Sequence, residues 1–284
     1  MKVHAVVALK ADYPLGVLLE IAGLARSTFF YHQARQDRPD PHADLKRAIR
    51  DTFDQALGRY GHRRIHAKLV ATGRRVAKKT VLTLMRQLGL ACPVRRRRPS
   101  RAFIGEVGTV APNLLNRNVR ATGPNQTWVT DVTEFRVRDH KVYLSPVMDL
   151  FDRQIIASTL GASPTLALTN RSLRDALATL SGEEAPLVHS DQGFQSQHAS
   201  WQAVLADAGA TPSMSQTGTC LDNAMMENFF GHLKEECFHH ATFADAETLA
   251  IALEEDIAWY TSDRISTTLK DMSPVHYRAH ALAA

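Results

Sequence analysis

Three acidic residues occupy positions from which a fold could gather them. Asp131 lies in Thr127-Trp128-Val129-Thr130-Asp131-Val132-Thr133-Glu134-Phe135, a β-branched and aromatic run that reads as a strand. Asp191 follows Leu187-Val188-His189-Ser190, the end of a short buried strand, and Gly193 turns the chain away. Glu227 sits where the period becomes helical: Met226, Phe229, Phe230, Leu233 and Cys237 make one apolar stripe. At ~100° per residue Asn223, Glu227 and Lys234 share a flank of that stripe, and Asn228 points to solvent. Clustered carboxylates raise one another's pKa and need cations to ionise together. Such hard oxygen ligands suit Mg²⁺ or Mn²⁺ rather than zinc. Carboxylates that hold such ions could serve phosphoryl transfer, for which two ions at one site suffice. Asp149 and Asp152 are acidic alternatives to Asp131, but they flank a turn and lack its Trp-x-x-Asp setting.

Trp128-x-x-Asp131, His189-Ser190-Asp191-x-Gly193 and Asp222-Asn223-Ala224-x-x-Glu227 occur in that order, with 35 residues between Asp191 and Glu227. The pattern resembles the D,D(35)E signature of the OrfB-type transposases of bacterial insertion sequences (insertion-sequence family three), relatives of retroviral integrases. Ordered motifs at fixed spacing are a specific signal, where any one alone is weak. The likeness runs over roughly residues 13–280. It implies a ribonuclease-H-like α/β core, a mixed sheet flanked by helices, preceded by all-α helix-turn-helix modules. It also implies Asp131, Asp191 and Glu227 as catalytic metal ligands, Asp131 bridging the ions, and Lys234 on the DNA. The implied partners are the element's terminal repeats and target DNA, a homo-oligomer on DNA, and the upstream reading-frame product as fusion or partner. The implied place of action is the nucleoid. Thr261 and Ser266 depart from the family's usual Asn and His near the C-terminus.

The elements that must carry these residues follow from the rest of the chain. Residues 1–120 hold 24 Lys and Arg against 8 Asp and Glu, and residues 121–284 hold 10 against 21. The basic front half suits a polyanion, whereas the acidic back half repels one unless cations intervene. No apolar run approaches the roughly 20 residues of a membrane span, and the first ten residues lack a cleavage site, which reads as cytoplasmic. Cys92, Cys220 and Cys237 fit neither a disulfide framework nor a metal knuckle.

Residues 1–40 read as a helix-turn-helix-like segment: a helix over 14–22, a turn at Gly23 and a second helix capped by Ser27, with Phe29 and Phe30 in its core. Arg35 to Pro41 reads as a linker. Residues 41–98 form a second such module, with Ile49, Phe53 and Leu57 in one stripe and Val81, Leu84, Met85 and Leu88 in another. Arg63, Arg64, Lys78 and Lys79 there, together with Arg95, Arg96, Arg97 and Arg98, are its candidate DNA-binding cations. Residues 99–122 read as a linker and 123–284 as the core with a C-terminal helical segment. In the core, strands are expected near 127–138, 141–149 and 153–160, then helix and strand alternate.

Several residues have plainer readings. Trp128 is expected to pack, Asn223 to cap the Glu227 helix, and His189 to be either a supporting group at the site or a satisfied buried histidine. Other function classes also stand: a DNA-binding regulator, a metal-dependent ribonuclease, and a covalent-tyrosine recombinase through His32-x-x-Arg35. Three intact carboxylates speak against the first, the two DNA-binding-type modules against the second, and the third leaves residues 121–284 without a role.

Overall fold

The computed structural model describes residues 2–36, 39–92, 111–115, 121–182, 184–191, 193–215 and 223–283. Helices α1 (Lys2–Leu9), α2 (Leu15–Ala22) and α3 (Arg26–Gln36) enclose Val6, Leu18, Leu19 and Phe29. Gly23 ends α2 at φ 60, a left-handed stop that glycine adopts without strain. Two expectations fail here. Phe29 N–H bonds the Ala25 carbonyl, so Ala25 holds the cap position and Ser27 lies inside the first turn. Phe30, expected in the core, is 46% exposed, because α1 covers only the Phe29 side.

The second module comprises α4 (Ala43–Gln55), α5 (His62–Ala71) and α6 (Lys78–Gln87) around Ile49, Ile65, Leu69, Val81, Leu84 and Met85. Leu57 falls out of its expected stripe. The helix stops at Gln55, and Leu57 adopts φ 54 with its side chain in solvent.

In the core, β1 (Thr127–Thr130) and β2 (Thr133–Val137) both pair antiparallel with β3 (His140–Asp149), in one continuous register. They are a single strand interrupted at Asp131 and Val132. Opposite Asp131 in that register stands Pro146, which has no N–H to donate to a ladder. Ladder pairing is therefore absent where the first acidic side chain leaves the sheet. β4 (Ile155–Gly161) pairs with β3 on its other edge, α7 (Leu166–Leu177) crosses over, and β5 (Leu187–Ser190) lies parallel to β1. After α8 (Phe194–Gln197) and α9 (Ala199–Asp207), β6 (Thr211–Met214) adds parallel to β5. The sheet order β4-β3-β1-β5-β6, three antiparallel strands followed by two parallel ones with helices on both faces, is the ribonuclease-H-like arrangement.

Helix α10 (Ala224–Leu233) continues into a π turn at Lys234–Phe238, then come α11 (Ala246–Ser262), a 3₁₀ turn at Thr267–Leu269 and α12 (Pro274–Leu282). The expected stripe is buried throughout: Met226, Phe229, Phe230, Leu233 and Cys237 all enter the main core. No helix among the described residues is long and apolar enough to cross a membrane.

The second module is tied to this C-terminal segment. Ile265 and Trp259 complete its apolar core, and Tyr60 Oη accepts from Ile265 N–H at 2.9 Å. Glu236 accepts from Arg264 Nε at 2.9 Å and Nη2 at 2.6 Å, with His232 Nδ1 at 3.1 Å and Arg64 Nη1 at 3.8 Å. Burial pushes the Glu236 carboxyl up, but His232 and Arg264 outweigh it and hold it at about 2, against an ordinary 4.5. A depressed carboxylate stabilises the fold above its unfolded value and loses that contribution as pH falls towards its folded one. Glu236→Gln should therefore cost about 3 kcal/mol at neutral pH, and the deficit should vanish between pH ~4.5 and ~2. Urea melts of both proteins across that window read the difference; a gap that does not change with pH would overturn the assignment.

Candidate active site

The register of β1 on β5 sets Val129 beside His189, so two residues further on Asp131 and Asp191 leave adjacent parallel strands side by side. Parallel neighbours lie roughly 4.8 Å apart, and the carboxyl ends of such strands, where strand direction changes across a sheet, are where α/β folds hold ligands. Both carboxylates line one cleft of about 670 Å³ with Thr130, Glu134, Tyr143 and Gln195. Asp131 Oδ1 accepts from Val132 N–H at 2.7 Å. Asp191 Oδ1 accepts from Gly193 N–H at 3.0 Å. A Cβ on Gly193 would stand 3.0 Å from that same Asp191 oxygen, so a side chain there would press on the carboxylate.

Glu227 approaches from α10, whose apolar face packs on the core beneath β1. Burial, then the charge of Asp191, pushes the Asp131 carboxyl up to about 7; Glu227 adds to the push and Lys234 draws it down. Burial also raises Asp191. Three carboxylates thus act on one another electrostatically. Among the described residues, however, no three His, Cys, Asp or Glu side chains converge tightly enough to close a metal site. Asp131 and Asp191 line the same cleft, and Glu227 is not among the residues that line it. The set still fits a hard divalent cation: its donors are carboxylate oxygens, and the charge it gathers in a half-buried cleft is unfavourable without one.

Lys234 opens the π turn, where its ammonium lies 5.3 Å from the centre of the Phe135 ring. Burial lowers its pKa against the pull of Asp131 and Glu134. It therefore serves the Asp131 side of the cleft and is not a solvent-facing lysine. Asn223 departs from expectation. It occupies the cap position of α10, but its side chain makes no cap hydrogen bond, and its Oδ1 is buried without a partner among the described residues. Its backbone, at φ −101 and ψ 13, lacks the extended conformation that turns a cap side chain back onto the helix.

His189 is fully buried between Ser213 Oγ and Ser215 Oγ, each at 2.9 Å, so it braces β5 on β6. Trp128 is fully buried in the core under α7 and α9, as a packing residue should be. Asp149 and Asp152, the acidic alternatives, are fully buried and both bonded to Arg278. Arg63, Lys78 and Lys79 stand exposed on the second module, whereas Arg64 turns inward against Glu236 and Tyr60. Arg95 to Arg98 and Asp222 lie outside the described residues. The motif reading did not single out Glu134, Lys141 and Tyr143, which share hydrogen bonds of 2.9 and 2.8 Å at the cleft rim. Their signal was available in the pleat: β2 alternates buried and exposed, which sends Glu134 to the polar face.

With that geometry in place, the comparisons can be set beside it. A family model described as an integrase core domain matches residues 121–220, a second of the same description matches 227–282, and one described as an HTH-like domain matches 41–98. A protein of Escherichia coli strain K12 named as transposase InsK of insertion sequence element IS150 is 43% identical over 270 residues, 95% of either chain. A Shigella flexneri protein named as a transposase for element IS1353 is 40% identical over 286 residues, 99% of this chain and 55% of that one. Among solved structures, the HTLV-2 integrase catalytic core domain in complex with magnesium is 16% identical with a TM-score of 0.44, covering 56% of this chain and 99% of that chain.

Proposed function

The chain belongs to the OrfB-type transposases of bacterial insertion sequences, polynucleotidyl transferases with an integrase core, and from that membership we propose that Asp131, Asp191 and Glu227 are the carboxylates with which it cuts and joins DNA. The observation that carries the assignment is the β1–β5 register, which delivers Asp131 and Asp191 to one cleft with the charge of Glu227 already acting on Asp131.

On this reading the reaction is two in-line displacements at phosphorus. Water first attacks the phosphodiester at the element's end, the P–O bond to the leaving strand breaks, and a 3′-hydroxyl is freed. That hydroxyl then attacks a second phosphodiester, forming one P–O bond and breaking another, with no protein–DNA covalent intermediate. Asp131 and Asp191 at the strand ends and Glu227 from α10 would act on the reacting phosphate through the cations they hold, since carboxylates alone repel it. Integrase-core transposases use divalent metal ions; here Asp131, Asp191 and Glu227 would hold two Mg²⁺ or Mn²⁺ ions, which supply charge neutralisation on the phosphoryl oxygens. Lys234 holds the terminal phosphate on the Asp131 side. Arg63, Lys78 and Lys79 track the DNA backbone from the second module, with Arg95 to Arg98 adding phosphate contacts and Arg64 serving the module's attachment. The partners are element ends and target DNA, on which the protein assembles as a homo-oligomer at the nucleoid, with the upstream reading-frame product as fusion or partner.

A supercoiled donor carrying both element ends, incubated with Mg²⁺, tests the reading directly. Joined ends support it; random nicks would indicate a nuclease, and untouched DNA a binding protein. Lys234→Met keeps the alkyl stem and removes the charge. It should lower end joining by about 10²-fold, the usual cost of losing one preorganised electrostatic group. End joining by that variant at the parent rate would remove Lys234 from the site.

A further inference from the structure

On the other flank of α10 from Glu227 lies a second, smaller cavity of about 180 Å³. Its wall brings together three parts of the chain: Arg64 from α5, His232 from α10, and Arg264, Ser266 and Thr268 from the segment after α11, with Arg153 reaching in from the β3–β4 turn. No carboxylate among the described residues lines it. Glu236 behind the wall is the acid bonded to Arg264, and Arg64 and His232 share it. Among the described residues Arg153 bonds a neutral partner, Thr268 Oγ1 at 2.7 Å, and Thr268 in turn meets Ser266 Oγ at 2.8 Å. Three guanidiniums therefore converge on one small space with one carboxylate among them, leaving excess positive charge aimed at a cluster of hydroxyls.

The backbone around the cavity is held in costly shapes. Arg153 has φ 65, and Lys270 and Asp271 have φ 54 and 61, all in the left-handed region that such residues rarely enter. Strain of this kind persists where the surroundings impose it, and it clusters at ligand sites. Guanidinium forks beside hydroxyls are the donor set that recognises a tetrahedral phosphate.

We propose that this cavity binds a phosphate of the DNA away from the bond being broken, so that a strand leaving the catalytic cleft is held where the second module meets the core. The DNA half of this proposal rests on the transposase reading; the anion half rests on the cavity alone. Because Arg64 belongs to the module and Arg264 to the core, an occupied site would couple DNA binding to the contact between them.

Fluorescence anisotropy of the full-length protein on an end-containing duplex, over a salt series, tests it. Arg153→Gln should weaken binding about tenfold and reduce the slope of log affinity against log salt by about one, the loss of a single phosphate contact. Arg171→Gln, which removes an exposed guanidinium on α7, controls for net charge and should do neither. Ser266→Glu places a negative charge in the same space and should reproduce the loss without touching Arg153, which covers the case of an Arg153 variant that folds poorly. Slopes and affinities equal to the parent in both folded variants overturn the proposal. Thermal melts in inorganic phosphate against chloride at equal ionic strength separate the sources. Protection by phosphate that Arg153→Gln abolishes, with the DNA slope unchanged, would make this a free-anion site and overturn its assignment to DNA. End-joining activity is not the readout, so loss of the catalytic assignment would leave this result standing.

Discussion

Asp191→Asn is expected to bind element ends like the parent and to join them at least about 10³-fold more slowly. The substitution conserves shape and retains an oxygen that can accept the Gly193 N–H, so the turn after β5 has no reason to move. What it removes is one negative charge from the pair at the strand ends. Anchoring charge neutralisation on the phosphoryl oxygens is worth several kcal/mol in the transition state, and each 1.36 kcal/mol is tenfold in rate. The same loss should follow for Asp131→Asn. Burial and the Asp191 charge both disfavour an ionised Asp131, so an amide there removes a charge the cleft holds at a cost, and the metal-free variant should melt no lower than the parent. Quantitative end-joining assays beside anisotropy on the same DNA make the measurement. Joining within tenfold of the parent by either variant would remove that residue from the catalytic set.

Arg278→Met should be the most damaging single change outside the cleft. Arg278 Nη2 lies 2.6 Å from Asp149 Oδ2, and its Nε donates to Asp152 Oδ2. Both carboxylates are fully buried. Asp149 also accepts from the Asn125 and Phe151 N–H groups at 2.7 and 2.9 Å, and Asp152 from Gln154 N–H at 2.9 Å. Burial already raises the Asp149 carboxyl, with the Asp152 charge adding to it and Arg278 opposing it. Without the guanidinium, two like charges would face each other out of water. Removing one partner from a buried ion pair costs about 3–5 kcal/mol, or roughly 10 °C in melting temperature for a chain of this size. Below the lowered transition, strand transfer per folded molecule should match the parent, because this cluster fixes α12 to the β3–β4 turn and does not touch the cleft. A melting temperature within 2–3 °C of the parent, about 1 kcal/mol, would show that the cluster adds little to the fold.

The contrast between these two acidic groups shows where reading from residues alone is strong and where it stops. Asp149 and Asp152 differ from Asp131 in sequence by their place beside a turn and by motif setting. Their true role depends on Arg278, more than a hundred residues away, and nothing local to either segment announces that contact. The stripe from Met226 to Cys237 was legible because it needs only helical period and burial, both carried by neighbours in the chain. Ser27 and Asn223 were misread as caps because cap preference concerns residue type, whereas a cap bond also needs the right backbone angles. Asn223 has φ −101 and ψ 13, and Ser27 lies inside a helix that already begins at Arg26. Leu57 left its stripe because the helix ended two residues earlier, and helix ends are the least constrained feature of a periodic pattern.

The chain's own order of residues determined the proposed catalytic acids, their spacing, the strand ends and helix that bear them, and the division between a cationic front and an acidic core. Those properties follow from short-range periodicity, side-chain chemistry and counting. Tertiary packing alone decided that β1 lies beside β5 in the register that sets Asp131 next to Asp191, and that Pro146 stands opposite the gap in the ladder. It also decided that Arg64 faces Glu236 rather than solvent, and that Arg153 joins Arg264 around a second cavity. Such pairings join residues far apart in the chain, and their energies depend on what each side chain meets once water has been excluded, which no local pattern encodes.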